Sequence, residues 1–400
     1  MSPSIYAPVH AAHSLPTPTC SPAPDESKRI LRQSADNELY AGLSAEEKAR
    51  VAVMHSLSNS PEMLLSQLPV LSILGFGSNG CVLAATDQTS GPSTKKVAIK
   101  VIYKARVDSR VCSNETPAEI AILRQLSSKY PTSSILRYIT DWEDSHHFYL
   151  VTEIFGSNWL AVTSQKDRPQ EDTLLPLVFN SFHNGITIPH HLEIHSGSAD
   201  MWAWSYAHRM HLFHTEGHSM LPLHPIRLLL QKIAHSLSLV HREGFYHGDV
   251  KIENILVEAC SSGTGPAIRL ADFGHARPAV TREGCLRYGT HAIAAPEFLR
   301  DSPYAPVQLD GRACDVFALG MVFYALLNED GKLPPVVQRV HEGAVGYRGL
   351  LTADDGRYPI PQVPDLDAIG LDLLQGMLRV DPVQRLRIDE ILTHAWFAMH

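Results

Sequence analysis

A short stretch in the second half of the chain combines two carboxylates, an amide and a lysine at close spacing. It reads Asp249-Val-Lys251-Ile-Glu-Asn254, and Asp272-Phe-Gly follows eighteen residues after Asn254. Oxygen atoms of Asn254 and Asp272 are the hard ligands that divalent cations prefer. Asp249 could orient an attacking hydroxyl and accept its proton, while Lys251 could neutralise charge on the group being moved. These residue types in this order indicate phosphoryl transfer.

A glycine-rich segment in the first half could supply the phosphate contacts for such chemistry. Gly75-Phe-Gly77-Ser-Asn-Gly80 stands between two strand-like runs. Glycines at this spacing allow backbone N–H groups to approach phosphate oxygens closely. The same spacing also opens the helix of a dinucleotide-binding fold, but here a second strand-like run follows. The motif alone leaves phosphate binding and a chance loop equally open.

A lysine in an apolar strand is a further candidate. Lys100 ends the run Val-Ala-Ile-Lys, and Glu119 follows nineteen residues later at the start of a helix-like run. A buried ammonium group needs an anion beside it, because its desolvation is costly. In isolation, a lysine that reaches solvent and a solvated glutamate explain these residues better. The motifs from Asp249 to Asp272 favour the paired interpretation.

The hydrophobic pattern predicts the elements that must position these residues. Period-two alternation predicts strands over 71–83 (interrupted by glycines), 96–103, 136–139 and 148–154, and helical spacing predicts helices over 117–128 and 225–243. The capping box Ser44-x-x-Glu47 predicts a short helix upstream, and Pro61 begins a second brief one. A small β-rich half therefore precedes a larger helical half.

The composition is that of a folded protein with excess negative charge. Apolar residues make up 44% of the 400 residues and charged residues 19%, which is typical of globular chains. The net charge is −8, and no run of five basic residues occurs. We therefore expect neither a nucleic-acid-binding surface nor an electrostatic membrane anchor.

Cysteine usage and apolar runs predict the compartment. The six cysteines are widely spaced, with no C-x-x-C pair, as is typical of reduced thiols. The longest apolar stretch, 316–327, is too short to span a bilayer. Residues 1–24 contain six prolines and no apolar signal segment. These features predict a cytoplasmic or nuclear protein without a membrane association.

In this order and spacing, the motifs resemble those of the eukaryotic-type protein kinases, over residues 71–397. Ala-Pro-Glu297 closes a segment that begins at Asp272, Gly-Thr290 precedes it, and Arg385 matches the arginine that pairs with that glutamate. Asp315-Val-Phe-Ala-Leu-Gly resembles the buried central helix of the family. The runs around Lys100 and Glu119, with the closing His-Ala-Trp-Phe, look most like the calmodulin-dependent and PAS-kinase-like branch, with a long insert after the hinge.

The resemblance implies an α+β fold of two lobes, a small β-rich N-lobe and a larger α-helical C-lobe. The expected kinase domain covers 68–397, divided into the N-lobe (about 68–152), the hinge (153–156), the insert (about 157–223) and the C-lobe (224–397). Residues 1–65 would form a mostly disordered N-terminal extension with short helices.

The same resemblance implies ATP and magnesium as cofactors, and a protein substrate phosphorylated on serine or threonine. The expected catalytic residues are Asp249, Lys251, Lys100 and Glu119. The expected ATP contacts are Leu74, Gly75, Gly77, Gly80, Val82, Ala98, Lys100, Glu153, Phe155 and Leu256, with Thr152 behind the adenine. Asn254 and Asp272 would hold the metal, and Thr290, Glu297 and Arg385 would organise the activation segment.

Gly248 departs from the pattern, because relatives carry an arginine before the catalytic aspartate. That arginine normally pairs with a phosphorylated activation segment, so a phosphate on Thr281 or Tyr288 would lack its partner. We therefore expect activity without phosphorylation of that segment.

The insert and Glu253 leave alternatives open. The insert holds eight of the 22 histidines, and a metal site or a partner-docking surface competes there with simple surface histidines, the interpretation we favour. Glu253 fits either a contact to a substrate arginine or a solvated loop residue. For the whole chain, an active kinase competes with a pseudokinase scaffold and with a small-molecule kinase; the complete motif set favours the first.

Overall fold

In this computed structural model, the described residues are 40, 42–77, 79–89, 91, 95–107, 112–113, 116–157, 179–183, 186–189, 199–259, 266–279, 289–299, 302, 310–352 and 354–398. The chain divides into two compact units, Met1–Gly42 and Leu43–His400. All that follows concerns the second unit.

The N-terminal part of this unit is built on a five-stranded antiparallel sheet in the order β1-β2-β3-β5-β4. The strands are β1 (Val70–Phe76), β2 (Gly80–Asp87), β3 (Lys95–Tyr103), β4 (Tyr138–Glu143) and β5 (His147–Glu153). The run expected over 71–83 is thus a hairpin that turns within the glycine motif. A side chain on Gly80 would place its Cβ 2.1 Å from the carbonyl oxygen of Val101, so only glycine fits where β2 meets β3.

Helix α2 (Ala118–Lys129) lies beside this sheet and carries Glu119 in its first turn. Its inner face consists of Ile120, Ile122, Leu123 and Leu126, each no more than 4% exposed. This apolar stripe has the helical spacing that the sequence shows. The helix expected over 117–128 is therefore present with almost the same bounds.

Helix α1 (Ala45–Asn59) precedes the sheet and begins with a complete capping box. The backbone N–H of Glu47 donates to Ser44 Oγ, and the Glu47 carboxylate accepts the N–H of Ser44 at 2.8 Å. Its buried face contains Ala49, Ala52 and Leu57, and a π-type helical turn (Glu62–Gln67) follows. Both helical segments expected here are confirmed, and α1 also packs against β1 and β2.

The larger part is helical and surrounds one almost wholly buried helix. The helices are α3 (Met201–Glu216), α4 (Leu223–Arg242), α5 (Gly311–Leu327), α6 (Val336–His341), α7 (Tyr347–Leu351), α8 (Ala368–Met377) and α9 (Ile388–Leu392). Every residue of α5 from Cys314 to Leu327 is buried, with α4 and α8 packed on it. The α+β fold in a small β-rich lobe and a larger helical lobe is confirmed.

The interval treated as an insert is partly described. It contains β6 (Phe179–His183), paired with β7 (Ile186–Pro189), and then α3. Trp204 on α3 is buried in the core of the helical lobe, whereas Trp202 is 45% exposed. Residues 158–178, 184–185 and 190–198 of the insert lie outside the described residues.

The histidines of α3 do not converge. His208 is half-buried with Nδ1 2.8 Å from the carbonyl oxygen of Trp204, and His218 Nε2 lies 3.1 Å from Glu216. Within the part of the chain that the structure describes, no three His, Cys, Asp or Glu side chains could hold a metal ion. In the same part, no helix has the length and apolarity needed to cross a membrane.

Two short strand pairs flank the segments that carry the chemical motifs. β8 (Phe245–Tyr246) pairs with β11 (Arg277–Pro278), and β9 (Ile255–Glu258) pairs with β10 (Ala267–Leu270). The loop 247–254 leaves β8 and enters β9, while Asp272 follows β10 directly. These small sheets therefore hold the two chemical motifs side by side.

Candidate active site

Lys100 joins the two lobes through two carboxylates. Its Nζ donates to Glu119 Oε1 at 2.5 Å and to Asp272 Oδ1 at 2.7 Å. Lys100 faces out of β3 between the buried residues Ile99 and Val101, because successive strand residues point to opposite faces. The structure thus brings together three residues that are up to 172 positions apart in the chain.

The charges of this group depend on one another. Lys100 holds the pKa of Asp272 well below its usual range, against the opposing effect of burial. Burial alone would lower the pKa of Lys100, but the two carboxylates hold it above its usual value. Burial also raises the pKa of Glu119, although Lys100 opposes that effect. Asp272 adopts a left-handed backbone conformation with φ +60°. This conformation is strained for a residue other than glycine, and strained residues of this kind are concentrated at functional sites.

The loop 247–254 places Asp249, Lys251 and Asn254 in one hydrogen-bonded group. Lys251 Nζ lies 2.8 Å from Asp249 Oδ2 and donates to Thr290 Oγ1 at 2.9 Å. The Asn254 amide nitrogen donates to the backbone oxygen of Asp249 at 2.8 Å and to its Oδ2 at 3.0 Å. Since both amide hydrogens are used in this way, the Asn254 amide oxygen stays available as a ligand.

Among the described residues, the Asp249 carboxylate has donors at only one of its two oxygens. Its Oδ1 is buried and accepts no hydrogen bond from the described residues, which is costly unless a ligand supplies one. Gly289 lies directly over it, since a Cβ there would be 2.6 Å from that oxygen. Among the described residues, this oxygen therefore remains an acceptor without a donor, and a side chain on Gly289 would clash with it.

Asp315 on α5 fixes the backbone of this loop. Its carboxylate accepts the N–H groups of His247 and Gly248 at 2.7 and 2.9 Å, and it lies 2.9 Å from His241 Nε2. The sequence pointed to Asp315 only as part of a buried helix, not as the anchor of the loop. The available signal in the sequence was a single aspartate beside a long apolar run. A carboxylate buried in such surroundings needs several hydrogen-bond donors.

Gly248 has φ +77°, where glycine has no steric penalty. A Cβ at this position would lie 2.6 Å from the carbonyl oxygen of His275. The residue that departs from the family pattern thus suits the local backbone. Its N–H is the one that Asp315 holds.

The residues expected to contact the nucleotide lie mainly on the strands of the small lobe, with Leu256 on β9 of the large one. Ala98 pairs with Ala84 on one side and Thr152 on the other, and Val82 pairs with Lys100. Leu74, Val82, Ala98 and Leu256 are partly exposed, while their strand neighbours Ile73, Leu83, Val97 and Val257 are buried. Gly75 and Gly77 have open space where a side chain would point. The strand alternation therefore leaves these four apolar side chains partly exposed.

Glu153 and Phe155 meet a residue that the sequence analysis did not identify. Arg269 on β10 donates from Nε to Glu153 Oε1 at 2.7 Å, and its guanidinium lies 4.5 Å from the centre of the Phe155 ring. The only sequence signal was a charged residue within the apolar run of β10. That pattern does not identify the partner, which comes from a distant strand.

The end of the activation segment is fixed by a buried ion pair. Arg385 makes two hydrogen bonds of 2.8 Å to the two carboxylate oxygens of Glu297, and both side chains are fully buried. Arg385 also donates to the carbonyl oxygen of Ala313 at 2.7 Å. Lys251 also donates to Thr290. The activation segment is therefore attached to the helical lobe at Thr290 and at Glu297. Thr281 and Tyr288 lie outside the described residues.

A comparison with known families matches the protein kinase domain over residues 68–196 and 199–397, which is most of the chain. A serine/threonine-protein kinase of Drosophila persimilis, GL21140, is 31% identical over 373 residues, covering 92% of this chain and 40% of that protein. The probable serine/threonine-protein kinase KCC4 of Saccharomyces cerevisiae is 27% identical over 334 residues, covering 80% and 25%. The SNF1-related protein kinase catalytic subunit alpha KIN12 of Arabidopsis thaliana is 26% identical over 357 residues, covering 86% and 55%.

This chain therefore spans between a quarter and just over half of the length of these relatives. Their names are consistent with the branch that the sequence motifs resemble. The family match covers both lobes, and each motif that carried the resemblance lies within it. The chain belongs to the protein kinase family, and within it to the eukaryotic serine/threonine type.

Proposed function

We propose that the protein is an active kinase that transfers the γ-phosphoryl group of ATP to serine or threonine hydroxyls of proteins. The observation that carries this proposal is the double contact of Lys100 with Glu119 and Asp272. Phosphoryl transfer in this family requires the lysine–glutamate pair and the metal-binding aspartate to be in place together. Both conditions hold in one conformation.

The donor set fits a divalent cation such as Mg²⁺. Asp272 contributes a carboxylate and Asn254 an amide oxygen, both hard ligands. The Asn254 amide nitrogen is committed to Asp249, so the amide oxygen is the atom left for a cation. When bound, the ion would neutralise charge on the phosphates.

The roles of the protein groups follow from their contacts. Asp249 Oδ1, which has no donor among the described residues, would accept a hydrogen bond from the substrate hydroxyl and orient it. Lys251, placed between Asp249 and Thr290, would stabilise negative charge near the transferred group. Lys100 would bind the α- and β-phosphates, and the adenine would lie between Ala98 and Leu256.

Substrate and partners belong to the same proposal. The peptide-docking surface would be shaped by Thr290, which accepts a hydrogen bond from Lys251, and by the Glu297–Arg385 pair. The phosphate acceptor would be a serine or threonine hydroxyl. The protein would act in the cytoplasm or nucleus. Nothing in the structure or the comparisons favours a pseudokinase.

The test is transfer from labelled ATP with magnesium to a generic basic protein. Wild type would phosphorylate the substrate on serine or threonine, whereas Asp249→Asn and Asp272→Ala would each reduce transfer by at least about a hundredfold. Asp372→Asn, an exposed carboxylate on α8, is the matched control and would keep wild-type activity. Equal transfer by wild type and Asp249→Asn would refute the proposal, as would absent transfer by a folded wild type.

A further inference from the structure

Glu153 lies where the chain passes from the small lobe to the large one. It is the last residue of β5, and its side chain is 14% exposed. The carboxylate oxygen Oε1 accepts two hydrogen bonds, one from Arg269 Nε at 2.7 Å and one from the backbone N–H of Arg137 at 3.0 Å. The hinge carboxylate is therefore shared between an arginine side chain of one lobe and the backbone of the other.

Arg269 makes three kinds of contact around the hinge. Besides its bond to Glu153, its guanidinium lies 4.5 Å from the centre of the Phe155 ring. Its NH1 group donates to the carbonyl oxygen of Ile268 at 3.0 Å, which fixes the side chain on its own strand. Charge-assisted hydrogen bonds and cation–π contacts of this kind are stronger when partly removed from water. The Arg269 side chain is 26% exposed.

The position of Arg269 links the hinge to the floor of the expected nucleotide cleft. Arg269 is paired across β9 and β10 with Leu256, the residue expected below the adenine. The hinge has one backbone link to the same sheet, from the N–H of Ser157 to the carbonyl oxygen of Val257 at 3.1 Å. Arg269 adds a side-chain link on the other side of the hinge, at Glu153 and Phe155.

The reacting end of the cleft is held without Arg269. The N–H of Leu270 donates to Ser134, the N–H of Ala271 donates to Asn254, and Leu270 accepts from Leu136, at 2.8 to 2.9 Å. These backbone bonds fix the chain just before Asp272. Losing the Arg269 side chain would therefore disturb the hinge more than the phosphate site.

We propose that Arg269 is a positioning residue for nucleotide binding, which holds the hinge at Glu153 and Phe155 against the floor of the cleft at Leu256. The inference rests on the proposed function, because it assigns Arg269 to the same ATP site. Without Arg269, the largely buried Glu153 carboxylate loses its charged partner on β10, and the Phe155 ring loses its neighbour. A less ordered hinge must be ordered when the nucleotide binds, which weakens binding. The free energy needed to order the hinge is the same for the ATP-bound state and for the transition state. The KM for ATP therefore rises while kcat changes little.

The test compares Arg269→Gln with Arg137→Gln. Arg137 is the matched control, because its side chain is 53% exposed and its Nε lies 3.7 Å from Glu153 Oε2, while the backbone N–H that Glu153 uses is kept. We expect Arg269→Gln to raise both the KM for ATP and the Kd for ADP, measured by calorimetry with magnesium, about tenfold. The kcat value and the unfolding midpoint without nucleotide would stay near wild type. Arg137→Gln would change KM and Kd by less than about twofold.

Two further variants separate positioning from a general loss of packing. Arg269→Lys keeps the charge but not the planar guanidinium, so KM would fall between wild type and Arg269→Gln. In the double variant Glu153→Gln/Arg269→Gln, the KM increase would be smaller than the product of the two single effects, because the partners act as a pair.

The inference would be overturned if Arg269→Gln kept the KM and Kd of wild type, if Arg137→Gln had the same effect, or if kcat fell with KM unchanged. A wild type that binds ADP but transfers no phosphate would refute the proposed function, while the Kd comparison would still decide the role of Arg269. A wild type that binds no ADP would refute both.

Discussion

At the scale of single residues, the Glu297–Arg385 pair is the most deeply buried charge contact described. Each guanidinium nitrogen that faces Glu297 donates to a different carboxylate oxygen, and the Cys314 thiol donates to Oε1 at 3.3 Å. A buried pair contributes little net stability compared with apolar packing, but its disruption leaves one charge uncompensated. Its value here is in fixing where the activation segment ends.

Replacing Arg385 by methionine should therefore be costly. We expect Arg385→Met to lower the free energy of unfolding by about 3–5 kcal/mol, because Glu297 would remain buried without its partner. Urea unfolding followed by fluorescence measures the change. The control is Arg387→Met, whose side chain is 79% exposed and 3.8 Å from Glu390, with an expected change below about 0.5 kcal/mol. Similar losses for both variants would contradict this account.

At the scale of elements, helix α1 extends the small lobe beyond the residues that the family model matches. The Trp142 ring nitrogen on β4 donates to Ser60 Oγ at 3.3 Å, and the rings of His55 and His146 are 5.9 Å apart. Trp142 also stacks on Tyr149 with ring centres 4.5 Å apart. The segment from α1 to the turn at 62–67 therefore forms one packed unit with the sheet.

The stability of the small lobe should depend on this packing. We expect Leu57→Ala, at a side chain that is 2% exposed, to lower the free energy of unfolding by about 2–4 kcal/mol through the cavity it leaves. Leu65→Ala lies in the same segment but at a 43% exposed position, and should cost less than about 1 kcal/mol. Thermal unfolding of the two variants makes the comparison. If both behaved like wild type, α1 would contribute nothing to the stability of the lobe.

The turn between β4 and β5 should make that stability pH-dependent. The Asp144 carboxylate accepts the N–H groups of His146 and His147 at 2.7 Å and the Tyr149 hydroxyl at 2.5 Å. Burial alone would raise the pKa of Asp144, but these bonds hold it well below its usual range. Because the folded pKa is the lower one, the stabilisation is complete above the unfolded pKa of about 3.9 and is lost as the pH falls towards the folded pKa.

Asp144→Asn tests this dependence. It should destabilise the protein by about 1–3 kcal/mol at pH 7, and the difference from wild type should shrink in urea titrations taken down to about pH 3. Asp372→Asn, at an 82% exposed side chain, is the control. A difference from wild type that does not change with pH would show that the Asp144 charge is not involved.

At the scale of the whole molecule, contacts between side chains of both lobes organise the active site. Lys100 reaches Glu119 and Asp272, Lys251 holds Thr290, and Arg385 holds Glu297. Gly248 stands where an arginine would bind a phosphorylated residue, and its positive φ suits glycine. Each of these contacts joins described side chains, and the sequence supplies no arginine at position 248 that could bind a phosphate.

We expect the variant Thr281→Ala/Tyr288→Phe to keep most of the wild-type activity. Neither hydroxyl would be needed, since no arginine precedes Asp249 to bind a phosphate there. Transfer from labelled ATP measures the result, and treatment of wild type with a phosphatase gives an independent comparison. Activity below about a tenth of wild type in either experiment would show that phosphorylation of the segment is required.

Local signals in the sequence predicted most of the elements, and the motifs indicated the candidate site residues. The capping box at Ser44 predicted α1 and the alternation on β3 predicted the strand of Lys100, and both are confirmed. They succeeded because caps and strand periodicity act between residues that are close in the chain. The spacing from Asp249 to Asp272 predicted their joint chemistry, which stays a prediction. The fold class followed from the same motifs through the family resemblance.

The tertiary structure decided which distant side chains meet wherever no motif indicated the pair. It packed α1 on the sheet, made Asp315 the anchor of the loop at 247–254, and set Arg269 against Glu153, which is 116 positions away. A single arginine or aspartate in an apolar run shows that a partner is needed, since burial without one is costly, but it does not identify that partner. The partner depends on how strands and helices pack, and so on contacts that no local pattern contains.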